Sequence, residues 1–362
     1  MKKLSFIFAM VFAASMAMAQ NTANTHSIGN SNLVSVNQIG SNNLVGRVAT
    51  GISGGDEITY SSQTGNENKA TVSQTGASNK AFFEQGVSYR YPGTYLPGDK
   101  NEIIITQNGN VNSAGGFSLG NRNIVNMTQV GNNDYAGHWL WGNDNKATIS
   151  QTSNNKNWAY AAANSSNNTS VITQVGYKND GSTSQGWIGY AWHDQNTATI
   201  SQTGNYNKSS LADGTTIIPA LPGYTSDLWG FGIQQYGFKN VGSVTQNGNS
   251  NEGAIYQFGN YNEGQITQTS DLNKANLFQV GSNNFARLNQ TSGAEANIKQ
   301  EGDNNTLKGL ANEWTAYSWE GSKLDLTQTG NLNTLNILQR NGASADVLQL
   351  GNSNITTFSQ IP

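Results

Sequence analysis

The stretch Ala70–Lys80 reads ATVSQTGASNK, and near copies stand at Ala198–Lys208 (ATISQTGNYNK) and Ala147–Lys156 (ATISQTSNNK). Each copy alternates small or apolar residues with Thr or Ser and then reaches a Gln. In two of the three copies a Gly and an Asn follow the Gln at a fixed distance. Alternation with a period of two residues is typical of a β-strand, and Gly with Asn is typical of a turn. The stretch therefore predicts one strand and one turn in each copy.

The phrase Gln-x-Gly-x-x-Asn recurs along the whole chain with a fixed spacing. Gln63, Gln74 and Gln85 are eleven residues apart, and the six glutamines from Gln235 to Gln290 keep the same step. Repeats at a fixed period indicate a repetitive fold rather than a series of unrelated domains. The phrase occurs complete thirteen times, beginning at Gln38, Gln63, Gln74, Gln107, Gln174, Gln202, Gln235, Gln246, Gln257, Gln279, Gln300, Gln328 and Gln349.

Altered copies continue the register where the phrase is incomplete. Leu96, Ser118 and Leu140 each take the position of the Gln, so the eleven-residue step is expected to persist across them. Longer steps are interpreted as insertions into a continuing ladder, near residues 44–60, 86–100, 179–195, 209–232 and 307–322. A single domain is therefore expected over residues 20–362.

The alternation also predicts which side chains point inward. Residues two and four positions before a Gln are apolar or small, as Val72 and Ala70 are before Gln74, so all three share one face of the strand. The Gly two positions after the Gln allows a positive φ, and the Asn after the turn points inward again. The expected inward ladder is Gln63, Gln74, Gln107, Gln129, Gln151, Gln174, Gln202, Gln246, Gln257, Gln279 and Gln328 with Asn68, Asn79, Asn112, Asn207, Asn251, Asn262, Asn284 and Asn333. The expected turn glycines are Gly65, Gly76, Gly109, Gly131, Gly204, Gly248, Gly259 and Gly330.

Two units of this kind close one coil of about 22 residues, so the fold class is an all-β solenoid of stacked strand–turn–strand coils. Stacked strands lie about 4.8 Å apart, and some fifteen coils would form a rod of roughly 70 Å. A lone buried amide is costly, but identical amides in a column bond to the copies above and below. This explains how Gln and Asn are retained in the interior.

Composition narrows the function. Charged residues make up 11% of the 362 residues, the net charge is −3, and there are no cysteines. No basic footprint for nucleic acid is present. Lys2 and Lys3, the apolar run Leu4–Ala14 and the small residues around Ala19 predict a signal peptide over residues 1–19. The chain is therefore expected to be secreted, without disulfides.

No catalytic, metal or cofactor site is expected. The three histidines, His26, His138 and His193, lack metal-ligand spacing, and the acidic residues do not recur in pairs. The sequence thus favours a structural or binding protein over an enzyme.

The tryptophans lie where the repeat is altered or interrupted. Gln63, Gln85, Gln107, Gln129 and Gln151 keep Gln at every second unit, so the altered units are expected on one wall of the solenoid. A candidate contact face there, for glycan or for lateral fibre contact, comprises Trp139, Trp141, Trp158, Tyr160, Trp187, Tyr190, Trp192 and Trp229. The alternative is that these aromatics fold back and fill an enlarged coil.

The pattern resembles the curlin repeat of bacterial curli fibres, whose units of about 22 residues read Ser-x5-Gln-x-Gly-x-x-Asn-x-Ala-x-x-x-Gln. The stretch Gln63–Gln74, QTGNENKATVSQ, fits its core, including Asn68 and Ala70. The units that begin at Gln202 and Gln328 fit its first part. The resemblance spans nearly all of the chain after residue 19, which has more units than the short major fibre subunit and carries aromatic insertions.

The resemblance implies export through a curli-type outer-membrane pore of a Gram-negative-type bacterium. It also implies self-association, alone or with other curli-like subunits, into extracellular amyloid-like fibres that support adhesion and biofilm. Bulk subunit, nucleator and accessory component all fit the sequence. The alternative is a soluble extracellular solenoid that binds a polysaccharide or another surface through the aromatic face.

Overall fold

A computed structural model of the chain describes residues 20–46, 61–86, 98–186, 194–209, 232–310 and 315–360, and these residues contain strands and turns but no helix. The strands are β1 (Thr22–Ala23), β2 (Thr25–Ile28), β3 (Leu33–Ser41), β4 (Leu44–Val45), β5 (Ser61–Thr64), β6 (Lys69–Ala77), β7 (Lys80–Gln85), β8 (Glu102–Asn110), β9 (Ser113–Leu119), β10 (Ile124–Asn132), β11 (Tyr135–Trp141), β12 (Lys146–Asn155), β13 (Trp158–Ala163), β14 (Thr169–Tyr177), β15 (Asp180–Gln185), β16 (Thr197–Thr203), β17 (Lys208–Ser209), β18 (Ile233–Tyr236), β19 (Val241–Asn247), β20 (Glu252–Phe258), β21 (Glu263–Thr269), β22 (Lys274–Val280), β23 (Phe285–Thr291), β24 (Glu295–Glu301), β25 (Thr306–Lys308), β26 (Ala316–Trp319), β27 (Lys323–Thr329), β28 (Thr334–Gln339), β29 (Ser344–Leu350) and β30 (Ile355–Gln360). None of the described residues forms a helix long and apolar enough to cross a membrane.

The strands form two parallel sheets, and the chain alternates between them. Sheet I has sixteen strands and runs from β1 to β29; sheet II has fourteen strands and includes β3 and β30. Successive strands of one sheet pair in register, apart from a shift between Thr152 and Asn155 of β12, so that Gln107 lies beside Gln129 and Gln129 beside Gln151. The all-β solenoid predicted from the sequence is confirmed.

Each sheet contains thirteen levels in the described residues, where one level is one strand, whole or interrupted. The sequence predicted some fifteen coils, because several insertions were counted as units. Levels about 4.8 Å apart correspond to a rod of roughly 60 Å.

The core lies between the two sheets and repeats at every level. Ala70 and Val72 on β6 are 1% exposed, and Ile103 and Ile105 at the next level are fully buried. These residues belong to one cluster that extends from Val45 to Ala345. The alternation in the sequence therefore produces a continuous apolar stripe inside a chain with few apolar residues.

Most breaks in the regular coil fall on sheet I. Residues 47–60 separate β4 from β5, and residues 210–231 separate β17 from β18, although each pair of fragments fills one level of sheet I. Residues 87–97 follow β7, and residues 187–193 follow β15. Sheet II is broken within a level only between β25 and β26. The predicted insertions at 44–60, 86–100, 179–195, 209–232 and 307–322 overlap these breaks, and the single domain over 20–362 stays a prediction.

The structure corrects the register that was expected around Leu96. Gln85 lies beside Gln63 on sheet I, whereas Gln107 lies beside Gln74 on sheet II. Gln85 and Gln107 are 22 residues apart and yet occupy opposite sheets. Without the eleven residues 87–97 they would be one unit apart, which is the step from one sheet to the other. The prediction that Gln63 and Gln85 share a wall with Gln107 was therefore wrong. Leu96 itself lies outside the described residues.

Candidate assembly site

The Gln side chains of sheet II form a hydrogen-bonded column between the sheets. In each step the Nε2 of one Gln donates to the Oε1 of the Gln one level further along the chain. Gln107 donates to Gln129 at 2.9 Å, and Gln129 donates to Gln151 at 2.9 Å. The column includes Gln38, Gln74, Gln107, Gln129, Gln151, Gln174, Gln202, Gln246, Gln268 and Gln290.

The second amide hydrogen of each Gln crosses to the facing sheet. The Nε2 of Gln129 donates to the backbone carbonyl of Ser113 at 3.1 Å, and that of Gln151 donates to the carbonyl of Tyr135 at 2.9 Å. Gln129 and Gln151 are fully buried. Each buried amide is therefore satisfied by the level beside it and by the opposite sheet, which removes the cost of burying it.

Sheet I carries a second Gln column in two parts. Gln63 donates to Gln85 at 2.8 Å. A longer run begins at Gln185 and passes through Gln235, Gln257, Gln279, Gln300 and Gln328 to Gln349. The eleven glutamines of the expected inward ladder are at most 1% exposed.

Asparagine columns run along the two edges of the solenoid, where the chain turns. The backbone N–H of Asn79 donates to the Oδ1 of Asn43 at 3.1 Å, and its Nδ2 donates to the carbonyl of Gly109 at 2.8 Å. Asn112, Asn207, Asn251, Asn262, Asn284 and Asn333 repeat this backbone bond, each to the column residue one level before it. Each turn is thus bonded to the levels before and after it.

The turn glycines leave no room for a side chain. Gly76 has a φ of +111°, and a Cβ there would lie 2.0 Å from the carbonyl oxygen of Gly109. Gly65, Gly109, Gly131, Gly204, Gly248, Gly259 and Gly330 also have φ between +109° and +137°. Because the backbone of the next level fills the space, both conformation and packing require Gly.

Sequence reasoning missed a second left-handed residue in the turn, four positions after the Gln. Glu67, Val111, Tyr206 and Leu332 occupy it with φ between +57° and +60°. Their side chains share no chemistry, so the residue type carries no signal. The spacing from the Gln was the available clue.

Three segments of the chain, residues 29–76, 98–131 and 120–152, match the family model of the curlin associated repeat. Over these segments, which make up less than a third of the chain, the sequence is similar to the curlin associated repeat. The match covers the part in which β6, β8, β10 and β12 stack in register on sheet II. No curated protein matches the chain. A match to this repeat points to a curli-type subunit.

The hydrogen-bonded Gln column of sheet II continues past the matched segments. Gln174 donates to Gln202, and Gln202 donates to Gln246, each with an Nε2–Oε1 distance of 2.8 Å. These partners are 28 and 44 residues apart along the chain. The insertions at residues 187–193 and 210–231 account for those long steps. The same column therefore extends to Gln290.

The curlin pattern is interrupted on sheet I between Gln85 and Gln185, where Ser118, Leu140 and Ala163 take the Gln position. His138 points into the core beside them and is fully buried, with its Nε2 3.3 Å from the Oγ of Ser118. Burial lowers the pKa of His138 to about 3, so its ring is neutral near neutral pH.

One carboxylate replaces an amide in an Asn column. The Oδ1 of Asp134 accepts from the Oγ of Ser153 at 2.6 Å and from the backbone N–H of Asn157 at 2.9 Å. Burial nevertheless raises the pKa of Asp134, because these two hydrogen bonds only partly offset the loss of solvent. Asp134 is therefore a weak point of the column at neutral pH.

The described aromatics of the candidate contact face lie on the outer side of sheet I. Trp139 and Trp141 are on β11, and Trp158 and Tyr160 are on β13. Trp158 is 39% exposed and stacks on Tyr160 with ring centres 6.0 Å apart. Trp187, Tyr190, Trp192 and Trp229 lie outside the described residues. Phe82, Phe117 and Leu119, which sequence reasoning did not single out, are buried on the same side.

Apolar side chains are exposed at both ends of the solenoid. Ile28 and Leu33 are 46% and 57% exposed in the first level, and Leu350 and Ile355 are 63% and 77% exposed in the last. Among the described residues, no group of three or more His, Asp or Glu is arranged to hold a metal ion.

Proposed function

We propose that the chain is a secreted structural or nucleating subunit of extracellular curli-like amyloid fibres, which it extends by stacking copies end to end. The observation that carries the proposal is that, in the described residues, the strands of the first level (β1, β2 and β3) and of the last level (β29 and β30) each pair on one edge only. Open strand edges add further strands readily. Adhesion and biofilm support are the roles proposed for the fibre, with export through a curli-type outer-membrane pore.

The Gln column gives the stack a direction. Every Gln–Gln hydrogen bond donates toward the C-terminal end. The sheet II column stops at Gln290, because Ser318 takes the next Gln position and the Oε1 of Gln339 has no partner. Gln360 in the last level and Gln38 in the first level occupy the Gln position of the same sheet, so a following copy would place the Oε1 of Gln38 against Gln360. Phe358 of one copy would then lie over Val36 of the next, both of them partly buried and packed against the core. Head-to-tail stacking thus continues the apolar stripe and lets the amide column resume in the next copy.

The Asn columns support the same junction. The Oδ1 of Asn333 accepts the backbone N–H of Asn354, and the Oδ1 of Asn32 accepts that of Asn68. Asn354 is the last residue of this column, and Asn32 is the first. Stacking the C-terminal end of one copy on the N-terminal end of the next places the Oδ1 of Asn354 against the backbone N–H of Asn32. Stacking two like ends would instead place two acceptors, or two donors, against each other.

The test is to purify residues 20–362 and follow thioflavin fluorescence and electron microscopy with time. Dye-positive fibres that form from the chain alone, and faster with preformed fibres as seeds, are expected. A chain that stays monomeric and dye-negative at high concentration would overturn the proposal.

A second candidate function is glycan binding through the aromatic side of sheet I. Tyr135, Trp158 and Tyr160 form a continuous stack with ring centres about 6 Å apart. Aromatic stacks with exposed rings mark contact surfaces. Replacing Trp139 and Trp158 with Ala should then reduce polysaccharide adsorption of the chain. A loss of stability with unchanged adsorption would assign these rings to packing alone.

A further inference from the structure

Sheet II has an outer face unlike that of sheet I. Outward residues lie one and three positions before each Gln and one position after it. We call the hydroxyl face the outward side of nine successive levels, β3, β6, β8, β10, β12, β14, β16, β19 and β21. Its three columns contain Ser, Thr, Asn, Gln, Val and Ile and no charged residue.

The central column of the hydroxyl face is the most regular. Eight successive levels present a hydroxyl there, all partly or largely exposed. These residues are Ser73, Thr106, Thr128, Ser150, Thr173, Ser201, Thr245 and Thr267. Small side chains of equal size on an in-register parallel sheet make a flat surface that another sheet can approach closely.

The breaks in the chain do not fall within these nine strands. Residues 47–60 and 210–231 lie between fragments of sheet I levels, and residues 87–97 and 187–193 follow sheet I strands in the chain; β12 is irregular only between Thr152 and Asn155. Trp139, Trp141, Trp158 and Tyr160 lie on the outer side of sheet I, away from these nine strands.

The three columns are uncharged. The outward residues five positions before the Gln, at the flank of the same strands, include two cations and two anions, Lys69, Glu102, Lys146 and Glu263, whose charges sum to zero.

We infer that the hydroxyl face packs against the same face of a second copy, which joins two solenoids side by side. Nine levels about 4.8 Å apart and three columns about 7 Å apart give a patch of roughly 800 Å². That area is about what each partner contributes to a standard protein interface. A surface that meets its own copy must carry no net charge, because like charges would otherwise be opposed, and the three columns satisfy this condition.

The pairing differs from the end-to-end growth proposed above. Growth uses the terminal strands and adds length, whereas the hydroxyl face adds width and leaves the terminal edges open. Two paired sheets are expected about 10 Å apart, as in other stacked sheets. The two interfaces can therefore be tested separately.

The first test is the substitution Thr173→Glu, which places a carboxylate on the central column with Ser150 and Ser201 beside it. Thr327→Glu, on the outer side of sheet I, is the matched control. In sedimentation of the soluble chain, Thr173→Glu should weaken dimer formation by at least tenfold, because an unpaired buried charge costs well over 1.4 kcal/mol. Fibres of this variant should elongate normally but stay single in electron micrographs. The control should dimerise and pair like the wild type.

A second variant uses the absence of cysteine from the chain. Ser150→Cys, at the middle level of the hydroxyl face, should be joined to a second copy by a short thiol-specific cross-linker, and Thr327→Cys should not. Equal cross-linking of both variants, or fibres of Thr173→Glu that pair as the wild type does, would overturn the inference. If Thr173→Glu fibres pair as the wild type does but the variant no longer adsorbs to a crystalline polysaccharide, the inference would be overturned in favour of glycan binding by this face. A chain that dimerises but never elongates would instead refute the proposed function and leave this interface standing.

Discussion

Replacing one Gln in the middle of a column tests whether the amide ladder stabilises the solenoid. Gln129→Met keeps the length of the side chain and removes its polar atoms. Gln107 then loses the acceptor of one amide hydrogen, and the Oε1 of Gln151 loses the donor 2.9 Å away. The other hydrogen of Gln107 keeps its bond to the carbonyl of Lys80. One amide hydrogen of Gln107 and the Oε1 of Gln151 are thus left without partners.

Each orphaned group costs about 1–3 kcal/mol, so the variant should be less stable by about 2–6 kcal/mol. Solenoids often unfold in segments, and hydrogen exchange of the amides in β10 and its neighbours therefore measures this loss locally. Denaturant unfolding of the freshly purified monomer measures it globally.

Leu140→Met is the matched control, because Leu140 already occupies the Gln position in sheet I and has no ladder bond to lose. An apolar swap of similar volume should cost less than about 1.5 kcal/mol. If Gln129→Met and Leu140→Met changed stability and exchange equally, the idea that the amide columns hold the levels together would be refuted.

Three further predictions concern single residues. In denaturant unfolding, Gly76→Ala should destabilise the monomer by more than about 2 kcal/mol. Gly293→Ala should cost clearly less, because no atom lies within 4 Å of the added Cβ. Equal losses would contradict the close-packed turn. The pKa of His138 is about 3 in the folded protein and about 6.5 in the unfolded chain. The free energy of unfolding should therefore fall by up to about 1.4 kcal/mol per pH unit as the pH drops below about 6.5. His138→Leu should reduce this slope, and an unchanged slope would exclude His138 as the cause. The pKa of Asp134 is raised in the folded protein, so its carboxylate destabilises the fold as the pH rises. In thermal unfolding, Asp134→Asn should increase stability by about 1–3 kcal/mol at pH 7 but by little near pH 3. A gain that does not depend on pH would contradict this reasoning.

The local unit could be predicted from the sequence, because its physical requirements are local. Alternation at Ala70, Val72 and Gln74 indicates one buried face, and Gly76 can satisfy the positive φ of the turn. The stacking of Gln and Asn follows from the fixed register, since identical residues meet only if the levels pair without a shift.

The assignment of units to sheets could not be predicted in the same way. An insertion of eleven residues after Gln85 preserves the spacing while it changes the sheet, so period alone could not reveal it. The burial of His138 also depends on its neighbours, because Gly116 beside it leaves space that a Cβ would occupy 2.9 Å from its Nδ1.

The central claim is that copies stack end to end with the solenoid axis along the fibre. Cryo-electron microscopy of fibres grown from residues 20–362 tests it most directly. Thirteen levels at about 4.8 Å predict strands perpendicular to the fibre axis and a subunit repeat of roughly 62 Å along it. Fibres whose strands are not perpendicular to the axis, or whose subunit repeat departs from the length of one solenoid, would contradict the account.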